Sequence, residues 1–248
     1  MLFILVKQSI IAIGNPGVGK STILNALASK VVFRSGVSAG KGLTYKLEQK
    51  VVGDIRFCDT PGLDDVHRKK DAGLAIRDSL NMGGPHKILF FCKIDAGRVN
   101  VADKTTMKVV HDAAGEIKSN FGVIVNKVSK GILRKLDEQV EFKEQFLEFL
   151  FDGIPKSSNI VFLPNLNDLE DEDDKLISIE KLPGLSDLVE EVPTINLTPN
   201  LVKHIQVEEF DEIMQKLEES KSQNEKLSIA NDKLKTEKEV AETNPSND

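Results

Sequence analysis

The sequence predicts an α/β fold: a mostly parallel sheet with helices on both faces, one antiparallel edge strand, and a helical C-terminal tail. Three observations predict it. Up to about residue 163, short apolar runs alternate with amphipathic stretches of helical length, the pattern of strands joined by crossover helices. Gly53-Asp54 separates two β-prone runs, a hairpin signal that makes one neighbouring pair antiparallel. From about 205 to 241 there is no Gly or Pro, and Glu, Lys, Leu and Asn dominate, as in a long helix.

The elements follow in order. Apolar runs place strands at Ser9–Ile13, Leu43–Val52, Ile55–Cys58, Lys87–Ile94, Phe121–Val125 and Asn159–Leu163. Helices fall between them at 20–30, 67–80, 102–119 and 134–150. From Asp168 the run DLEDEDD is too acidic to pack and reads as a surface loop. A short helix around Leu185–Val192 closes the domain before Pro193 and Pro199. The division is thus a core over 1–165, an acidic loop and closing helix over 166–200, and a tail over 201–248. In the tail, a heptad register puts Phe210, Leu217, Asn224 and Asn231 at one core position and Ile213, Ser220, Leu227 and Leu234 at the other. Three of those eight are polar, so a weak coiled coil and a solvated single helix both remain open. Residues after Glu242 are expected to be disordered.

Composition bounds the function classes. The chain has 248 residues, 40% hydrophobic and 29% charged, as in a soluble globular protein. No apolar run approaches the roughly 20 residues that span a bilayer, and MLFILV lacks the basic leader and cleavage site of a signal peptide. Cys58 and Cys92 each sit in an apolar run and read as reduced core residues of a cytoplasmic protein, which excludes a disulfide scaffold or a Cys-rich zinc site. Charge is uneven: residues 1–155 carry a net +6, 156–200 a net −7 and 201–248 a net −5. The positive part suits an anionic ligand, while the acidic tail argues against nonspecific nucleic-acid binding.

The clearest motif is GNPGVGKS, residues 14–21, which follows an apolar run and opens the segment TILNALASK. This is G-x-x-x-x-G-K-S between strand and helix. Gly14, Gly17 and Gly19 let the backbone curl so that successive N–H groups face phosphate oxygens, and the helix N-terminus adds its dipole. Gly14, Asn15, Pro16, Gly17, Val18, Gly19, Lys20, Ser21 and Thr22 are therefore the candidate nucleotide-binding residues. Lys20 would stand between the β and γ phosphates, with the Ser21 hydroxyl on Mg²⁺. A second motif, DTPG at 59–62, ends the strand after the hairpin. Asp59 would reach the Mg²⁺ shell, and Gly62 would swing its N–H onto the γ-phosphate. Thr44 is the candidate switch threonine on Mg²⁺, with Ser38 as its competitor. The metal set is thus Ser21, Thr44 and Asp59; Lys20, Thr44 and Gly62 are the candidate catalytic residues.

Together these motifs resemble the translation-factor-related class of P-loop GTPases, which includes Ras-like, septin and dynamin-like proteins. The resemblance implies a Ras-like G domain that binds Mg²⁺ with GTP or GDP. After DTPGLDD the chain carries Gly84-Pro85-His86 before a strand and then Gly97-Arg98. These segments are similar to the immunity-associated GTPase family (AIG/GIMAP type), near septins and chloroplast import GTPases, over about residues 8–165. That resemblance implies nucleotide-controlled self-association, here a homodimer through the G domain or the tail. The membrane attachment of several members does not carry over, because the tail shows neither an apolar anchor nor a prenylation motif. His86 and Arg98 read as a surface histidine and a solvated loop arginine.

Two departures matter. The base-recognition motif of such GTPases ends in Asp, whose carboxylate takes the guanine N1–H and NH₂. Here Asn126-Lys127-Val128-Ser129 puts a neutral hydroxyl in that place. Asn126 and Lys127 keep their expected roles at the purine. Ser129 weakens guanine selectivity by about 1.5–3 kcal/mol, which leaves ATP binding or a recruited acceptor such as Asn165 open. Leu63 stands where Ras-like proteins carry a water-orienting Gln, so hydrolysis is expected to be slow. The sequence therefore predicts a slow GTPase, with a GTP-dependent scaffold as the alternative of another class.

Overall fold

The structure is a computed structural model that describes residues 5–36, 44, 46–65, 68–95, 97–166 and 173–243. Its first strand, β1 (Gln8–Gly14), is almost wholly buried and leads through the phosphate loop into α1 (Lys20–Leu27). The hairpin β2 (Glu48–Val52) and β3 (Ile55–Asp59) follows, then α2 (Lys69–Leu80) and the long strand β4 (Pro85–Asp95). Next come β5 (Arg98–Val99), α3 (Val101–Ala113), β6 (Gly122–Val128), α4 (Lys130–Glu138), α5 (Val140–Phe151) and β7 (Asn159–Pro164). A turn of 3-10 helix at Ile179–Lys181 precedes α6 (Leu185–Glu191) and β8 (Ile195–Asn196).

Strand order is β2-β3-β1-β4-β6-β7, parallel except for the β2–β3 hairpin at one edge. The predicted architecture is therefore the observed one, with two additions. β5 and β8, each of two residues, pair antiparallel with opposite ends of β4. The chain leaves β1 for β3 on one side and returns to β4 on the other, so β1 ends at the point where the winding reverses. In open α/β sheets that crevice, beyond the carboxyl ends of the strands, is where ligands bind.

One face of the sheet packs Ile10, Ala12, Phe57, Leu89 and Phe91 against Leu24 of α1 and Leu185 and Leu188 of α6. Lys87 reaches the end of α6 and donates to the carbonyls of Val189 and Glu190, where a cation suits the helix terminus. Residues up to Val207 form one unit. The second unit, Glu208–Asp248, is built from α7 (Val207–Thr243), a 37-residue helix. Of the expected heptad positions, Phe210 is buried, Ile213 and Leu217 are half-buried, and Leu227 is 62% exposed. The Leu234 side chain and residues 244–248 lie outside the described residues. Among the described residues no helix is long and apolar enough to cross a membrane.

Several expected boundaries move, each for a physical reason. The helix expected over 134–150 is two helices. A continuous helix would place Val140 and Lys143 on the same stripe as Leu136. The extended Gln139 (φ −117°, ψ 96°) resets the phase, leaving Val140 72% exposed while Phe146 and Leu150 turn inward. The strand expected from Leu43 begins only at Glu48, opposite Asp59, where its hairpin partner β3 ends; Leu43 itself is outside the described residues. The helix expected to reach 119 ends at Ala113, and a 3-10 turn over Gly115–Ile117 follows. Most of the acidic run lies outside the described residues, which resume at Asp173. There Asp174 receives the Ser35 N–H at 2.7 Å and returns its own N–H to the Ser35 carbonyl at 2.7 Å, tying that end to the stretch after α1. His86 is fully buried in β4 instead of lying on the surface, while Arg98 is exposed as expected. Cys58 and Cys92 are free and buried.

Candidate functional site

The site forms where β1, β3, β4 and β6 end. β1 delivers Gly14, and the loop turns through Gly17 (φ +76°) and Gly19 (φ +97°), left-handed values that favour glycine. A β-carbon at Gly19 would also collide with the Asn126 amide. Val18 is buried in the core below the loop, Gly17 is exposed, and Pro16 and Thr22 are half-buried. Lys20 opens α1 and bends back over the loop, donating to the carbonyls of Gly14 at 2.8 Å and Asn15 at 3.2 Å. Burial lowers its pKa, and the charges of Asp59 and Asp103 oppose that.

The three residues expected to hold a metal come together. Ser21 Oγ donates to Asp59 Oδ2 at 2.5 Å, Thr44 Oγ1 donates to the same oxygen at 2.9 Å, and the two hydroxyls lie 3.4 Å apart. Asp59 is 1% exposed, and among the described residues its Oδ1 has no hydrogen-bond partner. Burial raises its carboxyl, while Lys20 and the two hydroxyls pull it back. A buried carboxylate with an open oxygen beside two hydroxyls is a hard-oxygen donor set that fits Mg²⁺. Ser38 lies outside the described residues.

Gly62 lies directly on the phosphate loop, where a β-carbon would come within 2.7 Å of Asn15 Cα and Pro16 N. Leu63, next in sequence, is wholly buried. On the other side, Asn126 Nδ2 donates to the Val18 carbonyl at 2.9 Å, joining the base-recognition segment to the loop. Lys127 is exposed with φ +59°. Ser129 N-caps α4, its hydroxyl accepting the Ile132 N–H at 3.4 Å. The Asn165 N–H donates to the Val128 carbonyl at 2.9 Å, which places it beside that same segment.

Four site-supporting residues escaped the sequence reading. Thr60 donates to the Ala12 carbonyl at 2.7 Å and braces the DTPG turn on β1. Asn25, inside α1, binds Val32 and Phe33 through three main-chain hydrogen bonds. Asp103 and Thr106 of α3 both bind the Asn15 side chain. The signals were weak: a Thr inside a recognised motif, and polar residues on otherwise apolar helix faces.

Asp103 is 1% exposed, and burial pushes its carboxyl up to about 6, against the Lys93 N–H, the Asn15 amide and the charges of Lys93 and Lys20. The folded pKa lies above the ordinary 3.8, so the folded state holds this proton longer than the unfolded chain does. Its contribution to stability is therefore greatest below pH 4 and declines as pH rises to about 6. Urea unfolding of wild type and Asp103→Asn at pH 4 and pH 7 should show wild type losing up to about 3 kcal/mol relative to the variant. A difference that does not change with pH contradicts the assignment.

Comparison with known proteins agrees with this geometry. Residues 9–127, just under half of the chain, match the family described as 50S ribosome-binding GTPase. GTPase Era of Ureaplasma parvum serovar 3 is 28% identical over 149 residues, which are 58% of this chain and 48% of Era. The chain thus spans about half the length of the curated relatives it matches. Toc33 of Arabidopsis thaliana, solved with GDP and Mg²⁺, has a similar fold at 17% identity and a TM-score of 0.50, covering 77% of this chain and 88% of Toc33. A mutant NFeoB of S. thermophilus bound to GMPPNP aligns at 18% identity and a TM-score of 0.45, over 75% of this chain and 60% of NFeoB. Fold and profile point the same way: the chain has the α/β fold of a Ras-like G domain, and residues 9–127 match a GTPase family model.

Proposed function

We propose that the chain binds Mg²⁺ with GTP or GDP and hydrolyses GTP slowly, as a nucleotide-controlled switch. The observation that carries this is the convergence of Ser21, Thr44 and Lys20 on the buried Asp59 carboxylate, beside a phosphate loop. Main-chain N–H groups of Gly14 to Thr22 would cradle the phosphates, with the Lys20 ammonium between β and γ. Ser21, Thr44 and Asp59 would hold Mg²⁺, which, when bound, neutralises phosphate charge. The Gly62 N–H would meet the γ-phosphate. In the reaction, water attacks the γ-phosphorus and its bond to the bridging oxygen breaks. GDP leaves with that electron pair, and a water proton is released.

Slow turnover follows from Leu63. Its side chain is apolar and wholly buried, so it positions no water. A second copy or a partner would supply the missing group, through the G domain or α7, which we read as a weak coiled coil. Gly84-Pro85-His86 and Gly97-Arg98 support the immunity-associated branch as our reading of kinship, and the free, buried Cys58 and Cys92 support the cytoplasm as its setting. A scaffold that associates without turnover is the alternative.

One observation favours a looser base preference. Ser129 already spends its hydroxyl on the N-terminus of α4. Asn126 and Lys127 then remain to meet the purine, with no carboxylate at position 129 for the guanine donors.

Two variants test this reading. Lys20→Ala should abolish binding of fluorescent GDP, and retained micromolar affinity would remove the phosphate-loop assignment. Ser129→Asp should raise the preference for GDP over ADP by about tenfold or more. Unchanged selectivity would mean that another residue reads the base.

A further inference from the structure

Asn15 has a side chain that a phosphate cradle does not need, because such a loop binds phosphate through main-chain N–H groups. Its side chain is nevertheless 3% exposed and fully engaged. Nδ2 donates to Asp103 Oδ1 at 2.9 Å. Oδ1 accepts from the Thr106 hydroxyl at 3.0 Å and from the Asp64 N–H at 3.1 Å. The amide orientation is determined by its partners: a main-chain N–H can only donate, and an ionised carboxylate can only accept. Asp103 is held in turn, since its Oδ2 receives the Lys93 N–H from β4 at 2.9 Å. One amide therefore joins the phosphate loop to α3 and to the main chain just after DTPG.

We propose that Asn15, Asp103 and Thr106 form a positioning unit by which α3 holds the Gly62–Asp64 backbone against the phosphate loop, and that this unit governs the rate of GTP cleavage rather than affinity for GDP. The inference rests on the proposed function. Gly62 lies against Asn15 with no room for a β-carbon. Two residues later the Asp64 N–H is tied to the same Asn15. Between them the Leu63 side chain is buried. The Gly62 N–H is therefore fixed relative to the loop by contacts on both sides, and one of these depends on α3. GDP lacks the γ-phosphate that this N–H would meet, so loosening the segment leaves GDP affinity largely unchanged. Cleavage depends on the placement of that donor, and a misplaced donor slows the chemistry. Asp103 and Thr106 touch no nucleotide in this scheme; Thr106 acts through Asn15, and Asp103 acts through Asn15 and through its charge on Lys20.

The test uses the full chain and three variants: Thr106→Val, which is nearly isosteric, Thr106→Ser, which restores the hydroxyl, and Asp103→Asn, which removes one acceptor. Hydrogen exchange of the Asp64 amide is followed without nucleotide, then GDP affinity and single-turnover GTP cleavage. Thr106→Val and Asp103→Asn should each speed exchange at Asp64 and slow cleavage, both by about tenfold, and Thr106→Val, which leaves the Asp103 charge in place, should keep GDP affinity within about threefold. Thr106→Ser should match wild type. The proposal is overturned if exchange and cleavage do not change while only thermal stability falls, or if Thr106→Ser behaves like Thr106→Val. A wild-type protein that neither binds nor cleaves GTP overturns the proposed function and the claim about rate. Exchange at Asp64 still reports the link by itself, so the two failures are distinguishable.

Discussion

The site depends on one buried carboxylate, that of Asp59 at the end of β3. Parallel pairing sets Asp59 beside Ala12 of β1, two residues before Gly14 begins the phosphate loop. A charge so deeply buried is costly unless it is compensated, and two parts of the chain supply the compensation. α1 brings Ser21 and the Lys20 charge, the stretch before β2 brings Thr44, and the hydroxyls share one oxygen. The other oxygen has no partner among the described residues, and it is there that a hard cation would gain most. Stability and chemistry thus meet at the same atoms.

Around that carboxylate the phosphate loop is braced from several directions. Asn126 of β6 holds it at Val18, Asn15 ties it to α3, and Thr60 secures the neighbouring turn on β1. These are side-chain bonds to main chain or to other buried side chains, so the loop keeps its curl through cross-links and not by glycine alone. The pattern also explains why Ser129 need not resemble the usual acidic residue. It caps α4, a structural task that Ser performs as well as Asp, so a guanine-selective site would draw its acceptor from another residue.

Much of this was legible in the sequence because it is local. The spacing of Gly14, Gly19, Lys20 and Ser21, the Gly53-Asp54 turn and the Asp59–Gly62 motif each lie within a few residues. Thr44 stood out by its place between the first helix and the DTPG strand, in a stretch of small residues, and the structure brings it to Asp59. What was not legible is long-range. Asp103 meets Asn15 across 88 positions and Asp174 meets Ser35 across 139, and no periodicity encodes such pairs. The break at Gln139 was hidden for another reason. No Gly or Pro marks it, and only the burial of Phe146 and Leu150 shows that the helix had to change phase.

The central claim is a guanine-nucleotide site built on Asp59 and the phosphate loop. It is tested most directly by competing GTP and ATP against fluorescent GDP on the intact chain with Mg²⁺ present. The account predicts that GTP competes at least tenfold better than ATP, a difference of about 1.4 kcal/mol. Equal competition by ATP would contradict it and make this a purine-tolerant nucleotide site.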